Sequence, residues 1–116
     1  WAPHHKVDNL IAFTDWNGQQ IDGPTETITG ISDLPDKWLS FGWDVIEADG
    51  HDFESILKAF ELAHAQNEKP KMILFKTEMG HGVDFMAGTH KWHGKAPNDQ
   101  ECAAALSQLE ETLGDF

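Results

Sequence analysis

The sequence is short of basic residues and of cysteine, and each shortage excludes a class of structure or function. Its 116 residues include 8 Lys and Arg but 20 Asp and Glu, which gives a formal net charge of −12. We therefore expect no basic patch for nucleic acid or an anionic membrane, so any bound anion has to be held by local groups. The single cysteine, Cys102, excludes an internal disulfide and fits a reducing compartment. Its alanine-rich surroundings indicate a thiol buried on a helix.

The sequence also lacks a long apolar run and the apolar core of a signal peptide. No run approaches the roughly 20 residues that span a bilayer, and the first residues are polar or aromatic. We therefore expect a soluble, cytoplasmic protein without a nucleic-acid or membrane partner. The length matches one modest domain. The chain begins with Trp1 and not with Met, which indicates a piece of a longer polypeptide or a processed form.

An apolar run at residues 10–13 stops at a cluster of polar and turn-forming residues, 15–25. This pattern predicts a buried strand at residues 7–14 and a loop at 15–31. Ligands of α/β sheets usually bind where strands end. Asn17 offers an amide oxygen there, and Gly18 allows the carbonyl of Gln19 to face the same point. Such oxygens suit Mg²⁺ or Ca²⁺, and a simple Asn-Gly turn is the alternative interpretation.

Strands and helices then alternate along the chain. The predicted elements are a helix at 33–42 capped by Ser32 or Asp33 and stopped by Gly42, a strand at 43–48, a helix from Asp52 to 67–70, and a strand at 71–76. The second helix has one apolar face, formed by Phe53, Ile56, Leu57 and Phe60. This order predicts a three-layer α/β sandwich whose sheet is mainly parallel and whose crossovers are right-handed.

A long loop at residues 78–97 holds four glycines and three histidines. Such loops are functional or disordered, and we expect this one to be mobile without a ligand. Because loops after parallel strands meet at one sheet edge, it can complete the site begun at Asn17. Zinc bound by His90 and His93 is one alternative. Another is that the histidines are ordinary loop residues.

The chain is predicted to close with a helix that begins at Asn98, because Asn98 and Glu101 form a capping box. Its apolar face is expected to comprise Cys102, Ala105, Leu106, Leu109 and Leu113. We interpret Trp92 as a packing anchor. The four remaining histidines are interpreted as surface residues: His4, His5, His51 and His64.

Several short motifs occur in a fixed order between Lys6 and Leu113. They occupy residues 10–17, 20–25, 38–43, 76–82, 85–86 and 92–99. Together they resemble the amino-terminal subunit of the transketolases, which are thiamine-diphosphate enzymes. The resemblance implies a thiamine-diphosphate-binding fold and the transfer of a two-carbon ketol unit from a ketose phosphate to an aldose phosphate. The motifs at 20–25 and 92–97 favour transketolase over its relatives deoxyxylulose-phosphate synthase and phosphoketolase.

The resemblance also implies roles for individual residues. Asn17 would ligate Mg²⁺ (or Ca²⁺) through its side chain, and Gln19 would do so through its carbonyl. Ile21 and Met79 would make apolar contacts with thiamine diphosphate. His93 would bind the cofactor near its diphosphate or aid proton transfer, so it is the candidate catalytic residue.

Two parts of the family's cofactor site have no counterpart in the sequence. One is the Gly-Asp-Gly segment that supplies the charged metal ligand, and the other is the domain or subunit that binds the pyrimidine ring. Asp15 would be a buried support and not a metal ligand. The chain would then be a single partial domain, residues 1–116, the carboxyl-terminal part of the diphosphate-binding domain and inactive alone.

The missing segments would be the partners of this chain. We expect a homodimer or heterotetramer in the full enzyme, sugar phosphates as substrates, and an apolar face left exposed where the upstream helix would pack. A structural or interaction fragment without catalysis is the non-enzyme alternative.

Overall fold

A three-stranded parallel sheet forms the centre of the computed structural model, which describes residues 1–65 and 67–110. In chain order the elements are β1 (Ile11–Trp16), β2 (Gln19–Gln20), β3 (Gly23–Pro24), α1 (Thr25–Ile28), α2 (Leu34–Ser40), β4 (Asp44–Asp49), α3 (Phe53–Ala63), β5 (Lys71–Lys76), a 3-10 helix (His90–Trp92) and α4 (Asp99–Leu106). The sheet order is β1-β5-β4, and β2 pairs with β3 in a separate antiparallel ribbon. The predicted α/β class and its parallel sheet are confirmed.

The three parallel strands end at one edge of the sheet. Trp16, Lys76 and Asp49 are the last residues of β1, β5 and β4, and they lie side by side in the register. The loops that leave these strands therefore start next to one another, as expected for a parallel sheet. This edge, called the carboxyl edge below, is where the polar residues of the sequence converge.

The first strand is displaced from its predicted range of residues 7–14. Residues before β1 form turns, in which the Val7 N–H donates to the Ala2 carbonyl at 3.1 Å and Lys6 takes a φ of 53°. The strand begins at Ile11 because pairing with β5 begins there, opposite Lys71. The predicted loop of 15–31 is also partly regular, since it contains β2, β3 and α1.

The core lies where α3 packs against β4 and β5. Ile73 and Leu74 of β5 are both 0% exposed. Because side chains alternate across a strand, Ile73 faces the α3 side and Leu74 faces the opposite side. The central strand is therefore covered on both faces, which matches its nearly continuous apolar sequence.

The helix α3 buries only part of its predicted face: Phe60 packs against the core as predicted, while two other predicted residues are exposed. Its buried residues are Ala59 and Ala63, whose small side chains let the helix approach the sheet closely. Phe53 and Leu57, which we predicted to pack with the core, are 82% and 65% exposed. They lie on the side of the helix that no described element covers.

The helix α3 begins where predicted but ends earlier than predicted. Asp52 caps α3 as predicted, accepting from the N–H groups of Glu54 and Ser55. The helix ends at Ala63, before the predicted 67–70, where a ring nitrogen of His64 lies 2.6 Å from the Phe60 carbonyl and completes the last turn.

The helix α2 begins without a side-chain cap. Asp33 is its N-cap by position, but its backbone is left-handed (φ 58°) and its side chain makes no capping bond; Ser32 precedes it. The carbonyl of Ser32 instead accepts from Lys37 Nζ at 2.7 Å. Gly42 follows the helix with a φ of 84°, as predicted for its stop.

The last helix leaves its thiol in solvent, and the residues that follow it, Gln108 and Leu109, contact the 78–97 loop. The predicted capping box is present, with Asn98 and Glu101 bonding to each other's backbone N–H groups at 2.9 Å. Cys102 is exposed, so the prediction of a buried thiol is wrong. Leu106 and Leu109 are also exposed, because the described contacts of this segment go to the loop, with Leu109 beside Gly82. Leu113 lies outside the described residues.

Within the described residues, no helix has the length and apolar character that crossing a membrane requires.

Candidate functional site

A cleft of about 640 Å³ opens at the carboxyl edge of the parallel sheet. Its walls come from the loops after β1, β4 and β5 and from the end of the 78–97 loop. The residues lining it are Asp15, Asn17, Gln19, Gln20, Ile21, His51, Thr77, Glu78, Met79, Gly80 and His93. Every site residue predicted from the sequence is in this set: Asn17, Gln19, Ile21, Met79 and His93. The structure therefore brings together residues that lie up to 76 positions apart in the sequence.

The end of β1 is held to the end of β5 by side-chain hydrogen bonds. The Thr77 hydroxyl donates to one oxygen of the Asp15 carboxylate, and Asn17 Nδ2 donates to the other at 3.2 Å. Asp15 therefore orients the Asn17 amide, as expected for a support. Its expected burial is wrong, because Asp15 is exposed and lines the cleft.

The Asn17 side chain also shapes the turn that follows. Its Oδ1 accepts from the Gln19 N–H at 2.9 Å, across the left-handed Gly18 (φ 71°). The Gly18 carbonyl in turn accepts from the Thr25 N–H at 2.9 Å. The Asn-Gly pair is thus a turn, as the alternative interpretation held, and it presents the Asn17 oxygen at the cleft as well.

The Gln19 side chain joins the loop after β1 to the long loop after β5. Its Nε2 donates to the Gly88 carbonyl at 3.3 Å. Its Oε1 is buried and has no hydrogen-bond donor among the residues that the structure describes. A buried acceptor without a donor is costly, so such an atom indicates a place where a ligand or water donates.

The long loop is folded, although the sequence predicted a structureless stretch. It contains four tight backbone turns and the 3-10 helix, and the Gly88 N–H closes it by donating to the Met79 carbonyl at 2.8 Å. The Trp92 indole N–H donates to the Phe85 carbonyl at 2.9 Å, and the two rings lie 5.3 Å apart. This supports the interpretation of Trp92 as an anchor, which fixes the neighbouring His93 at the cleft. The mobility of the loop stays a prediction.

The remaining histidines divide between the cleft and the surface. His51 lines the cleft, where its ring accepts a hydrogen bond from the Glu78 N–H, and sequence reasoning missed it. The only signal in the sequence was its place directly after a strand. His90 starts the 3-10 helix and is not among the described lining residues.

The donor set suits a hard cation only in part. Asn17 and the Gln19 carbonyl offer neutral oxygens, whereas oxygen sites gain affinity from charged ligands. The nearest carboxylate, Asp15, already accepts from Thr77 and Asn17. Among residues 1–65 and 67–110, no group of three or more His, Cys, Asp or Glu side chains is placed to hold a metal ion. A cation here needs further charge from a ligand or from another segment.

The apolar lining of the cleft fits an organic cofactor better than the oxygen ligands fit a cation. Ile21 is 67% exposed, and it lines the cleft together with Met79, so the cleft contains two flexible apolar side chains. His93 adds a group that can donate or accept a proton. Polar and apolar side chains in one cleft fit an organic ligand that combines a ring with an anionic end, such as thiamine diphosphate.

Comparison with known proteins identifies relatives over nearly the whole chain. Residues 1–113 match the family described as transketolase, thiamine diphosphate binding domain. The chain is 40% identical over 111 residues to a 6-deoxy-6-sulfo-D-fructose transketolase subunit of Clostridium sp., and 36% identical over 109 residues to an apulose-4-phosphate transketolase subunit of Phocaeicola vulgatus. These alignments cover 96% and 94% of this chain.

The solved structures agree with the sequence relatives. The transketolase of Campylobacter jejuni matches with a TM-score of 0.81 at 32% identity, over 92% of this chain and 17% of that chain. The chain spans 40% and 39% of the length of the Clostridium and Phocaeicola subunits. On the family match and the shared fold, the chain belongs to the transketolase family, within its thiamine-diphosphate-binding domain.

Proposed function

We propose that this chain is the carboxyl-terminal part of the diphosphate-binding domain of a transketolase, as a single partial domain. The whole enzyme transfers a two-carbon ketol unit from a ketose phosphate to an aldose phosphate. The observation that carries this proposal is the convergence of Asn17, Gln19, Ile21, Met79 and His93 on one cleft. These residues come from three separate segments, so proximity in the chain does not explain their meeting.

In this proposal Asn17 Oδ1 and the Gln19 carbonyl hold a divalent cation, Mg²⁺ or Ca²⁺. Asp15 supports them, because its carboxylate accepts from Asn17 Nδ2 and so turns Oδ1 away from that partner. The missing charge comes from the aspartate of an upstream Gly-Asp-Gly segment and from the diphosphate itself. Mg²⁺ commonly takes one or two protein groups and completes its octahedron with phosphate oxygens and water.

Thiamine diphosphate, when bound, supplies the carbanion that carries the two-carbon unit. The side chains of this chain would position it, with Ile21 and Met79 packing against its middle. His93 is the catalytic residue, which binds near the diphosphate and moves a proton between substrate and solvent. Its exposed position at the mouth of the cleft suits contact with a sugar phosphate.

The exposed apolar residues on the α3 side support a partner segment. Phe13 of β1 is 66% exposed, although its neighbour in the register, Ile73, is fully buried under α3. Phe53 and Leu57 of α3 are likewise exposed, at 82% and 65%. We propose that the helix after the Gly-Asp-Gly segment covers these residues and that a pyrimidine-binding domain or subunit completes the cleft, in a homodimer or heterotetramer. The relatives' names, which call those proteins subunits, support such an assembly.

The proposal is tested by calorimetric titration of Mg²⁺ and thiamine diphosphate into this chain, alone and mixed with a chain that supplies the two missing parts. We expect binding only in the mixture, and we expect Asn17→Ala to abolish it. The matched control is Asn9→Ala, at an exposed asparagine outside the cleft, which should bind like the parent. Urea unfolding of both variants checks that they fold.

Two results would contradict the proposal. If the mixture binds no cofactor, the chain is a structural or interaction fragment, and the family resemblance records ancestry alone. If Asn17→Ala binds as tightly as Asn9→Ala, the metal is held elsewhere.

A further inference from the structure

His51 is held in place by the elements on either side of it. It follows β4, and its backbone N–H donates to the Asp49 carboxylate at 2.9 Å. The next residue, Asp52, caps α3. The turn is also pressed against the end of β5, because the Gly50 N–H donates to the Lys76 carbonyl at 2.8 Å. The backbone of His51 is therefore anchored to the sheet edge.

The His51 ring reaches from this anchored turn to the segment after β5. Its Nε2 accepts from the Glu78 N–H at 2.7 Å, so that nitrogen carries no proton in this arrangement. The ring also stacks on His81, with centroids 3.8 Å apart and planes 16° from parallel. The preceding backbone bond, from the Thr77 N–H to the Trp16 carbonyl, is long at 3.5 Å. The His51 side chain thus supplies the next hydrogen bond to this segment, directly after the last backbone bond of the strand pairing.

The segment beyond Glu78 is closed on itself, and we call residues 79–88 the Met79 loop. The Gly88 N–H donates to the Met79 carbonyl at 2.8 Å, and the Ala87 N–H donates to the Val83 carbonyl at 2.9 Å. At Gly80 a Cβ atom would lie 2.4 Å from the Met86 carbonyl oxygen, so the turn is tightly packed. The loop is also tied to Gln19 through the Gly88 carbonyl and to Gln108 through Asp84, and Glu78 joins it to the end of β5.

We propose that His51 is a positioning residue, which fixes the base of the Met79 loop through the Glu78 N–H and so places Met79 at the cleft. Placement of Met79 against a cofactor rests on the proposed function, whereas placement of the loop does not. His81 stacks on the His51 ring, and its own N–H donates to the Glu78 carbonyl at 3.2 Å. The Glu78 N–H is held by the His51 ring, so the acceptor nitrogen of His51 carries the effect at that amide.

Amide hydrogen exchange of the purified protein tests the proposal, read at Glu78 and at the β5 amides. His51→Phe keeps a ring for stacking and removes the acceptor, so protection of the Glu78 amide should fall about three- to tenfold, the usual worth of one hydrogen bond. His51→Gln offers a side-chain oxygen near the position of Nε2 and should restore most of the protection. The matched control, His64→Phe, changes an exposed histidine on the far end of α3 and should leave Glu78 as in the parent.

The β5 amides separate loop placement from folding. If His51→Phe lowers protection at Glu78 while β5 keeps its protection, the proposal stands. Unchanged Glu78 protection in His51→Phe, or equal losses in His51→Phe and His51→Gln, overturns it. For the case that His51→Phe does not fold, ¹⁵N NMR of the parent gives an independent answer. A proton on Nε2 of His51 at neutral pH overturns the proposal, and an unprotonated Nε2 with a scalar coupling to the Glu78 amide supports it.

The same variants link the loop to the cofactor in the reconstituted mixture. We expect the Kd for thiamine diphosphate to rise about three- to tenfold in His51→Phe and to return towards the parent value in His51→Gln. A parent mixture that binds no cofactor overturns the proposed function, while the exchange at Glu78 still decides the role of His51. An unchanged Kd in His51→Phe with a loosened Glu78 amide overturns the placement of Met79 alone.

Discussion

The two ends of β5 both carry a lysine, and the two lysines lie in opposite surroundings. At the amino end, the Lys71 side chain is 2% exposed. Its ammonium donates to the Lys69 carbonyl at 2.7 Å and to Asn67 Oδ1, and it lies 3.5 Å from the Asp44 carboxylate. At the carboxyl end, Lys76 is 62% exposed and pairs with a single surface carboxylate at 2.7 Å. One end is a closed polar cluster, and the other opens onto the cleft.

The difference separates polar groups that are paired within the chain from polar groups at the proposed ligand site. The amino-end cluster is satisfied within the chain, since each buried group has a donor or acceptor close by. At the carboxyl edge, Gln19 Oε1 is buried with no donor among the described residues, and Asn17, which lines the cleft, has its Oδ1 bonded to the Gln19 N–H of its own turn. Polarity alone does not mark a functional site, but polarity left unsatisfied in a cleft does.

The largest expected loss of stability comes from removing the buried Lys71 ammonium at the amino end of β5. Lys71→Met keeps the apolar stem and removes the ammonium, which leaves the Lys69 carbonyl and Asn67 Oδ1 without their donor. Because one partner of a buried polar cluster is lost, we expect the free energy of unfolding to fall by about 2–4 kcal/mol. Lys76→Met, at the other end of the same strand, should cost less than about 1 kcal/mol because its pair is exposed. Urea unfolding measures both, and equal costs would remove the distinction between the two ends.

The next effect concerns the rigidity of the cleft wall. Gly80→Ala forces a side chain onto a left-handed backbone (φ 72°) and brings its Cβ within 2.4 Å of the Met86 carbonyl oxygen. We expect a loss of about 2–3 kcal/mol, from backbone strain and overpacking together. Gly94→Ala has a similar φ of 80° with nothing within 4 Å, so it isolates the strain and should cost about 1 kcal/mol. Thermal unfolding compares the two variants. Equal losses would mean that the Met79 loop shifts to accommodate the added methyl group, so that overpacking contributes nothing.

The smallest effect is a dependence on pH at the closed end. The Asn67 side chain, which donates a hydrogen bond, and the Lys71 and Lys69 ammonium groups hold the pKa of Asp44 below its ordinary 3.8. The carboxylate is thus favoured in the folded state. Its contribution to stability is fully present above pH 3.8 and is lost as the pH falls through the lower pKa of the folded protein.

Replacement of Asp44 should therefore flatten the acid limb of the stability curve. We expect Asp44→Asn to be less stable than the parent at neutral pH and to lose less stability between pH 5 and pH 2. Asn67→Ala should show the same change in weaker form, because it removes the largest cause of the lowered pKa. Urea midpoints across this range measure the effect, and an acid limb unchanged in Asp44→Asn would show that the cluster is not held by this charge.

Local patterns in the sequence predicted several elements closely. The run at 71–76 is β5 to the residue, and the capping box at Asn98 is present as predicted. Both depend on interactions between near neighbours in the chain, which a short stretch of sequence specifies. The site residues were predicted through the family resemblance, and their convergence on one cleft agrees with it.

Predictions failed where a distant segment decided the outcome. Cys102 was expected inside, but it is exposed, and the residue Gln108 just after its helix bonds to Asp84 of the 78–97 loop. Phe53 and Leu57 have the spacing of a buried face, yet of that predicted face Phe60 reaches the core, beside Ala59 and Ala63. Helical periodicity shows that a face exists, but which face is buried depends on what packs against it.

The sequence by itself determined the alternation of strands and helices, the parallel sheet and the chemistry available at the end of β1, because these follow from local pattern and residue type. Only the tertiary structure decided that Asn17, Met79 and His93 share a cleft with His51. It also decided that the buried Lys71 ammonium has hydrogen-bond acceptors, while the buried Gln19 Oε1 has no donor among the described residues. The reason is that burial and hydrogen-bond satisfaction depend on groups brought together from distant positions, and the alternation of apolar residues does not record those pairings.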